Sequence, residues 1–398
     1  MKLVNISLLR PQLIPFFCLL WLSITLGCNP KENGKEHLWE PVPLAYAKGF
    51  KLYKINDYLL IEILQGYPGQ EKPAYLLLGE AFPDQHTQEA LHSIRYRWLP
   101  PAQRLVATAT SHLPALEEVE ALERLIGFPN TDLISSTRVR ERIRAGKLQD
   151  LGKNAGLNIE AVLDLQPDLV LNSTLGAEDR SAKLLEEAGI YVLSIGDFIE
   201  PHPLGRAEWC KVIGAVVGHY AAAEEVFESI AARYEALREK AAARKSAQRS
   251  DQKPPRVMTG NLYQDIWYVP SADSWSTQLI RDAGGHYLFE ELKGAGSQTL
   301  SFEQVLDRAL DADIWLGPSD IPSLAALALS DQRYTYFTPF KTQKVFSFGL
   351  KKSATGGLPY FEIAYLRPDL ILEDLMRIFG GESLPEEQMH FYLPLPEN

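Results

Sequence analysis

The 398 residues hold 51 acidic and 40 basic side chains, which gives a formal net charge of −11. This acidic balance, without a long basic tract, makes nucleic acid a poor partner. The length exceeds that of one typical domain, and 46% hydrophobic residues are ample for buried cores, so we expect two domains.

The N-terminus has the pattern of an export signal. Basic residues precede an apolar segment over 13–26, which suits the core of a signal peptide but is short for a membrane span. Gly27 and Cys28 close this segment and resemble a bacterial lipobox. We therefore predict a signal peptide over 1–27 and a lipidated tether over 28–43, with Cys28 as the lipidation site. An ordinary secretory signal or an N-terminal anchor helix would show a similar pattern.

The cysteines agree with this interpretation. Cys18 leaves with the signal peptide and Cys28 would carry lipid, so Cys210 remains. The mature chain therefore has no disulfide framework. The helical, half-apolar setting of Cys210 favours a packed thiol over a nucleophile.

Residues 44–103 are predicted to form a small N-terminal β extension. Apolar and polar residues alternate over 49–55, and apolar segments follow at 58–64 and 74–78. Turn-forming residues separate the three segments, which is typical of a β meander.

Residues 104–218 alternate between short apolar strands and helices. We predict strands at 104–109, 169–171 and 190–195, with a helix over 115–126 among those between them. This alternation indicates βαβ units and a mostly parallel sheet.

Residues 219–253 predict a connecting helix and linker. Apolar residues over 221–245 recur at spacings of three and four, which gives a helix about 37 Å long. The strand and helix alternation then returns over 254–398, with strands at 256–260 and 314–316. The predicted fold class is α/β: two Rossmann-like lobes joined by one long α-helix, with the small β meander in front.

Four features in this order resemble a known family. Residues 155–170 place an acidic residue at the start of a helix and then Pro-Asp before a strand. Residues 267–270, 279–285 and 360–375 match later signatures, the last with Pro368 at a helix start. Together with the lipobox and the long helix, they resemble the substrate-binding proteins of ABC importers for iron complexes and cobalamin.

The resemblance implies a helical-backbone, class III-type periplasmic binding protein fold and no catalytic activity. It implies a small-molecule metal chelate as ligand (a ferric siderophore, haem or cobalamin), an ABC transporter permease as partner, and a monomer. It requires no resident cofactor. With the lipobox, it places the protein outside the cytoplasm on a bacterial membrane, facing the periplasm or the cell exterior.

Two glutamates correspond to the residues with which members of the family contact the permease. By position in the motifs, these are Glu160 in the first lobe and Glu303 in the second. Two rigidly spaced charges would fix orientation and steer the encounter. Alternatively, each carboxylate simply complements the dipole in a first helical turn.

The ligand site is expected in the cleft, on loops at the carboxyl ends of the strands. Aromatic faces suit a flat macrocycle or an aromatic chelate, and arginine suits its carboxylates. Several of these aromatic residues could instead belong to the core. The candidates are His112, Arg138, Tyr263, Trp267, Tyr268, Trp275, Arg333, Tyr334 and Tyr360.

Other functions have weaker support. A receptor for bare metal needs convergent imidazoles, yet the eight histidines are scattered, so we predict no protein-held metal site. His112 could still ligate the metal of a chelate. A two-lobed chelatase-like enzyme that handles tetrapyrroles is the alternative from another class, although no common catalytic motif is present. A surface scaffold would leave the aromatic loop near Tyr263 unexplained.

Overall fold

The computed structural model describes residues 39–152, 156–174, 176, 179–247, 253–294, 296–318, 321–382 and 384–398. The predicted signal peptide and Cys28 lie outside the described residues. Within these ranges, no helix has both the length and the apolar character needed to cross a membrane.

The N-terminal extension is a mixed sheet. Strands β1 to β4 pair with their neighbours in antiparallel order, as in a meander. After a short helix, β5 pairs parallel to β4. A two-residue turn at 56–57 joins β2 to β3, with Asn56 in the left-handed region. The elements are β1 (Glu40–Val42), β2 (Phe50–Ile55), β3 (Tyr58–Ile63), β4 (Ala74–Leu78), α1 (Gln85–Ala90) and β5 (Tyr96–Leu99).

The first lobe is built on a parallel sheet with the strand order β10-β9-β6-β7-β8. Its strands are β6 (Leu105–Ala107), β7 (Leu125–Phe128), β8 (Gln149–Asp150), β9 (Leu169–Asn172) and β10 (Val192–Ser194). Its helices are α2 (Leu113–Glu118), α3 (Thr137–Arg144), α4 (Ile159–Leu165), α5 (Arg180–Glu187), α6 (Pro203–Glu208) and α7 (Cys210–Val216).

The predicted helix over 115–126 was wrong in its second half. Glu120 adopts a left-handed conformation with φ of 55°, which no α-helix continues through. The chain therefore leaves α2 and enters β7 at Leu125, where the apolar side chains fill the sheet instead.

A single helix of 28 residues, α8 (Tyr220–Ala247), joins the lobes and is about 42 Å long. On the first lobe, Lys211 lies 3.9 Å from Glu224 of this helix. On the second lobe, the Tyr234 hydroxyl donates to Asp282 at 2.6 Å, and Arg244 donates to the Gly380 carbonyl at 3.0 Å. The prediction of two α/β lobes on one helical backbone is confirmed.

The second lobe repeats the parallel plan and adds a small antiparallel sheet. Its strands are β11 (Arg256–Thr259), β12 (Asn261–Tyr263), β13 (Ile266–Pro270), β14 (His286–Tyr287), β15 (Ser297–Leu300), β16 (Ile314–Leu316), β17 (Val345–Ser347) and β18 (Leu393–Pro394). The main sheet runs β14-β11-β16-β17-β18 with β18 antiparallel, and β12-β13-β15 form the antiparallel sheet. The helices are α9 (Trp275–Asp282), α10 (Phe302–Ala309), α11 (Leu324–Ser330), α12 (Thr338–Lys341), α13 (Pro359–Ile363) and α14 (Pro368–Gly380).

Buried carboxylates attach the N-terminal extension to the first lobe. Glu208, fully buried, accepts hydrogen bonds from the backbone N–H groups of residues 45–47 at 2.8 to 3.0 Å. Glu200 accepts from those of residues 48–49. Lys211 lies 3.2 Å from Glu208 and compensates its charge. The extension is therefore an integral part of the first lobe.

Glu208→Ala is expected to lower the free energy of unfolding by about 3 kcal/mol, because it leaves three N–H donors and the Lys211 ammonium without their acceptor. Denaturant unfolding of the purified protein measures this loss. Glu239→Ala, at an exposed position of α8, is the matched control and should change the value by less than about 0.5 kcal/mol. Equal stabilities for both variants would show that the extension is not anchored here.

Candidate functional site

The candidate site is a cavity of about 280 Å³ where the two lobes meet. Thr108 and Ser173, which directly follow β6 and β9, line it from the first lobe. Phe361 and Tyr365, in and just after α13, line it from the second lobe. The cavity thus lies at the carboxyl ends of parallel strands, where α/β folds bind ligands.

A carboxylate of the second lobe reaches into the first lobe beside this cavity. Glu362 of α13, only 1% exposed, accepts hydrogen bonds from the backbone N–H groups of Ser135 and Ser136 at 2.6 and 2.8 Å. Burial raises the pKa of Glu362 to about 7, although the two N–H donors act against this shift. The carboxylate of Glu117, hydrogen-bonded to the Ser136 hydroxyl, raises it further.

A guanidinium group of the first lobe extends into the second lobe. Arg206 of α6 is 3% exposed and lies between two aromatic rings of the second lobe. Its guanidinium carbon is 3.9 Å from the ring centre of Trp275 and 3.5 Å from that of Tyr365. Such cation–π contacts, once desolvated, hold the lobes together in a defined position.

Several buried polar atoms at this interface have no hydrogen-bond partner within the described part of the chain: both ring nitrogens of His112, Oδ1 of Asp197, Nε of Arg206 and Oγ of Ser135. Burial lowers the pKa of His112 to about 3, so its imidazole is neutral. Burial also raises the pKa of Asp197 to about 6, while the Arg206 charge lowers it. Buried polar groups without hydrogen-bond partners destabilise a fold. A ligand that forms hydrogen bonds with them removes this cost.

This arrangement is suited to binding. It places neutral and charged polar groups in a buried, aromatic region between the two lobes. In the ranges that the structure describes, no group of histidine, cysteine, aspartate and glutamate side chains is placed to hold a metal ion.

Three of the predicted ligand residues lie at or near the lobe interface, although none of the nine candidates is among the described residues that line the cavity. His112 belongs to the short 3₁₀ turn Thr110–His112, which packs against α13. Trp275 stacks on Arg206. Tyr360 of α13 is 7% exposed and stacks on Phe348 at 4.1 Å, and burial raises its pKa to about 12.

Two predicted ligand residues belong to the core of the second lobe. Trp267 is fully buried, and its indole N–H donates to the Thr259 carbonyl at 2.9 Å. Its ring packs against Trp315 and Tyr334, at 5.6 and 5.7 Å between ring centres. Tyr334 is 3% exposed and accepts a hydrogen bond from the N–H of Leu262. Neither residue has surface for a ligand.

The remaining predicted ligand residues are at the surface and do not line the cavity. Arg138 is exposed on α3. Tyr263 and Tyr268 are 64% and 41% exposed on the hairpin β12–β13. Arg333 lies against Asp331 and forms an ion pair with Asp265 at the tip of that hairpin.

Sequence reasoning missed Asp197, Arg206 and Tyr365. A signal existed for Arg206, because it stands in the mostly apolar segment over 203–217, where the other charged residues are Glu208 and Lys211. A charged residue in such a position needs a partner, and its partners here come from the other lobe.

The predicted docking glutamates occupy equivalent positions. Glu160 and Glu303 are both exposed in the first turn of a helix, after the N-caps Asn158 and Ser301. The helices α4 and α10 each lead into a strand of the main sheet of their lobe. Hydrogen bonds from its own backbone N–H and from Ser301 hold the pKa of Glu303 below its usual value.

Comparisons with known proteins agree with this architecture. A family model for periplasmic binding proteins matches residues 105–333, more than half of the chain. Two uncharacterized lipoproteins of Methanocaldococcus jannaschii are 24% and 26% identical over 64% and 56% of this chain. The matches span 58% and 57% of those relatives, so the chain covers less than two thirds of their length.

Solved structures share the fold. The periplasmic heme-binding protein of Vibrio cholerae superposes with a TM-score of 0.52 at 17% identity, over 70% of this chain and 98% of that one. A periplasmic heme-binding protein of Pseudomonas aeruginosa gives 0.52 at 19% identity, over 74% and 96%. A component of an Fe³⁺-hydroxamate transport system from Saccharomonospora viridis gives 0.53 at 16%, over 70% and 94%.

The interlobe carboxylate predicts a pH dependence of stability. Since the pKa of Glu362 is raised from 4.5 to about 7, the folded state keeps the proton between these values while the unfolded state releases it. Stability should therefore fall as pH rises from about 4.5 to 7, by up to about 1.4 kcal/mol per pH unit.

Glu362→Gln should show a shallower fall when the unfolding free energies of both proteins are compared at pH 5 and pH 7.5. The carboxyl of Asp197 contributes with the same sign, but it is present in both proteins and cancels in the difference. Equal slopes would contradict the assignment to Glu362.

Proposed function

We propose that this chain, which belongs to the periplasmic binding protein family, is an exported, lipid-anchored receptor. In this role it captures a metal chelate and delivers it to the permease of an ABC importer. The observation that carries the proposal is the cavity between the lobes. Behind its lining residues Ser111, Phe198 and Tyr365 lie the buried side chains of His112, Asp197 and Arg206, which have unpaired polar atoms. The family consists of solute-binding proteins, so the chelatase-like enzyme is set aside.

The ligand class is supported by the composition of the interface. Phe361 and Tyr365 offer aromatic surface in the cavity. Arg206, stacked on Tyr365, and His112, next to the lining residue Ser111, place a cation and a neutral imidazole just behind the lining. Structures with the same fold are described as heme-binding proteins and as part of an Fe³⁺-hydroxamate transport system. A ferric siderophore, haem or cobalamin remains the proposed ligand.

The cavity must enlarge to take such a ligand. Its volume of about 280 Å³ lies at or below the lower end of the range for pockets that hold drug-sized molecules, about 300 to 1,000 Å³. The contacts that resist enlargement are those of Glu362 with Ser135 and Ser136. We infer that α13 moves away from the first lobe when the chelate enters.

Export and anchoring rest on Cys28, which follows the apolar segment over 13–26. The other cysteine of the mature chain, Cys210, is 3% exposed, and burial raises the pKa of its thiol to about 12. It is therefore unsuited to modification. The two matched relatives are described as lipoproteins, which supports a membrane anchor here as well.

Titration of the purified protein with haemin, cyanocobalamin and ferrioxamine B tests the proposed function. At least one of them should bind with a Kd below about 10 μM, with a change in absorbance and quenching of tryptophan fluorescence. Trp275 lies at the interface, whereas Trp267 is buried in the core. Trp275→Phe should therefore remove much more of the quenching than Trp267→Phe.

The alternatives give different results in the same assay. Conversion of a metal-free tetrapyrrole to a metal complex would support a chelatase, and tight binding of zinc or manganese alone would support a bare-metal receptor. If none of the three chelates binds below this limit, the proposed ligand class is wrong.

Charge reversal tests the docking residues. Glu160→Lys with Glu303→Lys should abolish uptake in cells that depend on this receptor, because arginines on the permease would meet like charges. Ligand affinity should not change. Asp164→Lys with Asp307→Lys, exposed on the same two helices, is the matched control and should leave uptake close to wild type. Normal uptake with both glutamates reversed would refute the docking role.

A further inference from the structure

A second cavity, which we name the extension cavity, lies between the N-terminal extension and the first lobe. Its volume is about 670 Å³, within the range of pockets that hold drug-sized molecules, about 300 to 1,000 Å³. Tyr67 and Lys72 line it from the loop between β3 and β4. Lys183 of α5 and Tyr191, just before β10, line it from the first lobe. Among the described residues, its lining shares no member with that of the cavity between the lobes.

The wall that the extension supplies is held in place by its own hydrogen bonds. The Gln70 side chain accepts from the N–H of Gly66 at 2.8 Å. It also donates to the carbonyls of Ile63 and Lys72, at 2.9 Å each. A Cβ atom at Gly66 would lie 2.7 Å from the Ser194 carbonyl oxygen, so this loop lies directly against β10. A preformed cavity loses less entropy on binding than one that must first be ordered.

The wall that the first lobe supplies is fixed through Asn172, which is 5% exposed. Its side chain accepts from the Thr108 hydroxyl at 3.1 Å and donates to Asp179 at 2.9 Å. Asp179 lines the extension cavity and also caps α5, where it accepts from the N–H groups of Ser181 and Ala182. The Asp179 carboxylate is therefore already stabilised by the protein.

The remaining charges of the extension cavity are mainly positive. Lys72, Arg180 and Lys183 line it, are exposed, and form no ion pair with any residue that the structure describes. Glu186 also lines it, and burial raises the pKa of this carboxyl, which disfavours its charged form. In a chain with a net charge of −11, such a lining favours an anionic ligand.

Aromatic and apolar side chains offer contact surface for the body of a ligand. Tyr67 and Tyr191 line the cavity from the extension and the first lobe, and Ala74 and Ala182 add apolar surface. The guanidinium carbon of Arg97 lies 5.1 Å from the ring centre of Tyr191. Burial raises the pKa of Tyr191 to about 12, so its hydroxyl keeps the proton and can donate a hydrogen bond to an anion.

We propose that the extension cavity is a second binding site, for a small organic anion with a flat apolar body. Its carboxylate pairs with the cations of Lys72, Arg180 and Lys183, and its body contacts Tyr67 and Tyr191. This inference goes beyond the proposed function and does not depend on it. The extension precedes residues 105–333, so one wall of this site lies outside the part of the chain that matches the family model.

Isothermal titration calorimetry of the purified protein with 2-naphthoate tests the site. This probe has one carboxylate on a flat ring system and should bind with a Kd below about 1 mM. Two further probes separate the contributions of charge and ring. 2-Naphthamide has the ring without the charge, and acetate has the charge without the ring. Each should bind at least about tenfold more weakly than 2-naphthoate.

Two kinds of variant locate the probe. Arg180→Glu with Lys183→Glu should weaken 2-naphthoate binding about tenfold or more, because attraction becomes repulsion. Ala74→Trp, at an exposed position of the lining, should weaken it to a similar degree by filling the cavity without a change of charge. Arg144→Glu with Lys147→Glu, exposed on the first lobe outside the lining, is the matched control and should bind within about twofold of wild type.

Circular dichroism and thermal unfolding verify that each variant is folded. Wild-type affinity in both the charge-reversed variant and Ala74→Trp would refute the site, and so would equal affinities for 2-naphthoate and 2-naphthamide. Failure of wild type to bind 2-naphthoate below the stated limit would refute it as well. Competitive displacement of 2-naphthoate by a bound chelate would place the probe between the lobes, which also overturns the inference. Failure to bind any chelate would contradict only the proposed function.

Discussion

Arg233 of α8 forms ion pairs with Asp369 and Glu373 of α14, and these contacts attach the long helix to the second lobe. Asp369 is fully buried and is held also by Arg367 at 2.8 Å. Both arginines compensate the Asp369 carboxylate, because a buried charge without a partner is strongly destabilising. Since α8 also packs on the first lobe, the lobes are joined along a stiff rod. A stiff connection of this kind disfavours large hinge motions.

Ionisable side chains cross the interface between the lobes in both directions. Arg206 extends from the first lobe to the aromatic rings of the second, and Glu362 extends from the second lobe to the N–H groups of the first. Buried charges are costly unless they are well paired, so these contacts define one closed arrangement. A ligand can open it only by binding the open state more tightly. The unpaired atoms of His112 and Asp197 are groups that such a ligand could satisfy.

Local sequence patterns predicted many of the helices and strands. The candidate site, in contrast, is formed by contacts between residues that are far apart in the chain. The spacing of apolar residues in α8 and the alternation in β13 are properties of neighbouring residues. The alternation could even have separated buried Trp267 from exposed Tyr268, because adjacent strand residues point to opposite faces. By contrast, Glu362 meets Ser135 across 227 residues of chain. Nothing in the sequence near either residue indicates that contact, and the same holds for Glu208 and residues 45–47.

In the second lobe, Glu303 and the lining of the cavity belong to different parts of the structure. Phe302 packs on Trp267 and Phe337 in the aromatic core, so α10, which carries Glu303, is firmly attached to the sheet beside it. The segment α13 belongs instead to the cavity. Motion of α13 alone would leave the position of Glu303 unchanged. On the proposed function, the permease would therefore sense a bound chelate through the spacing between Glu160 and Glu303, which α8 restricts to small changes.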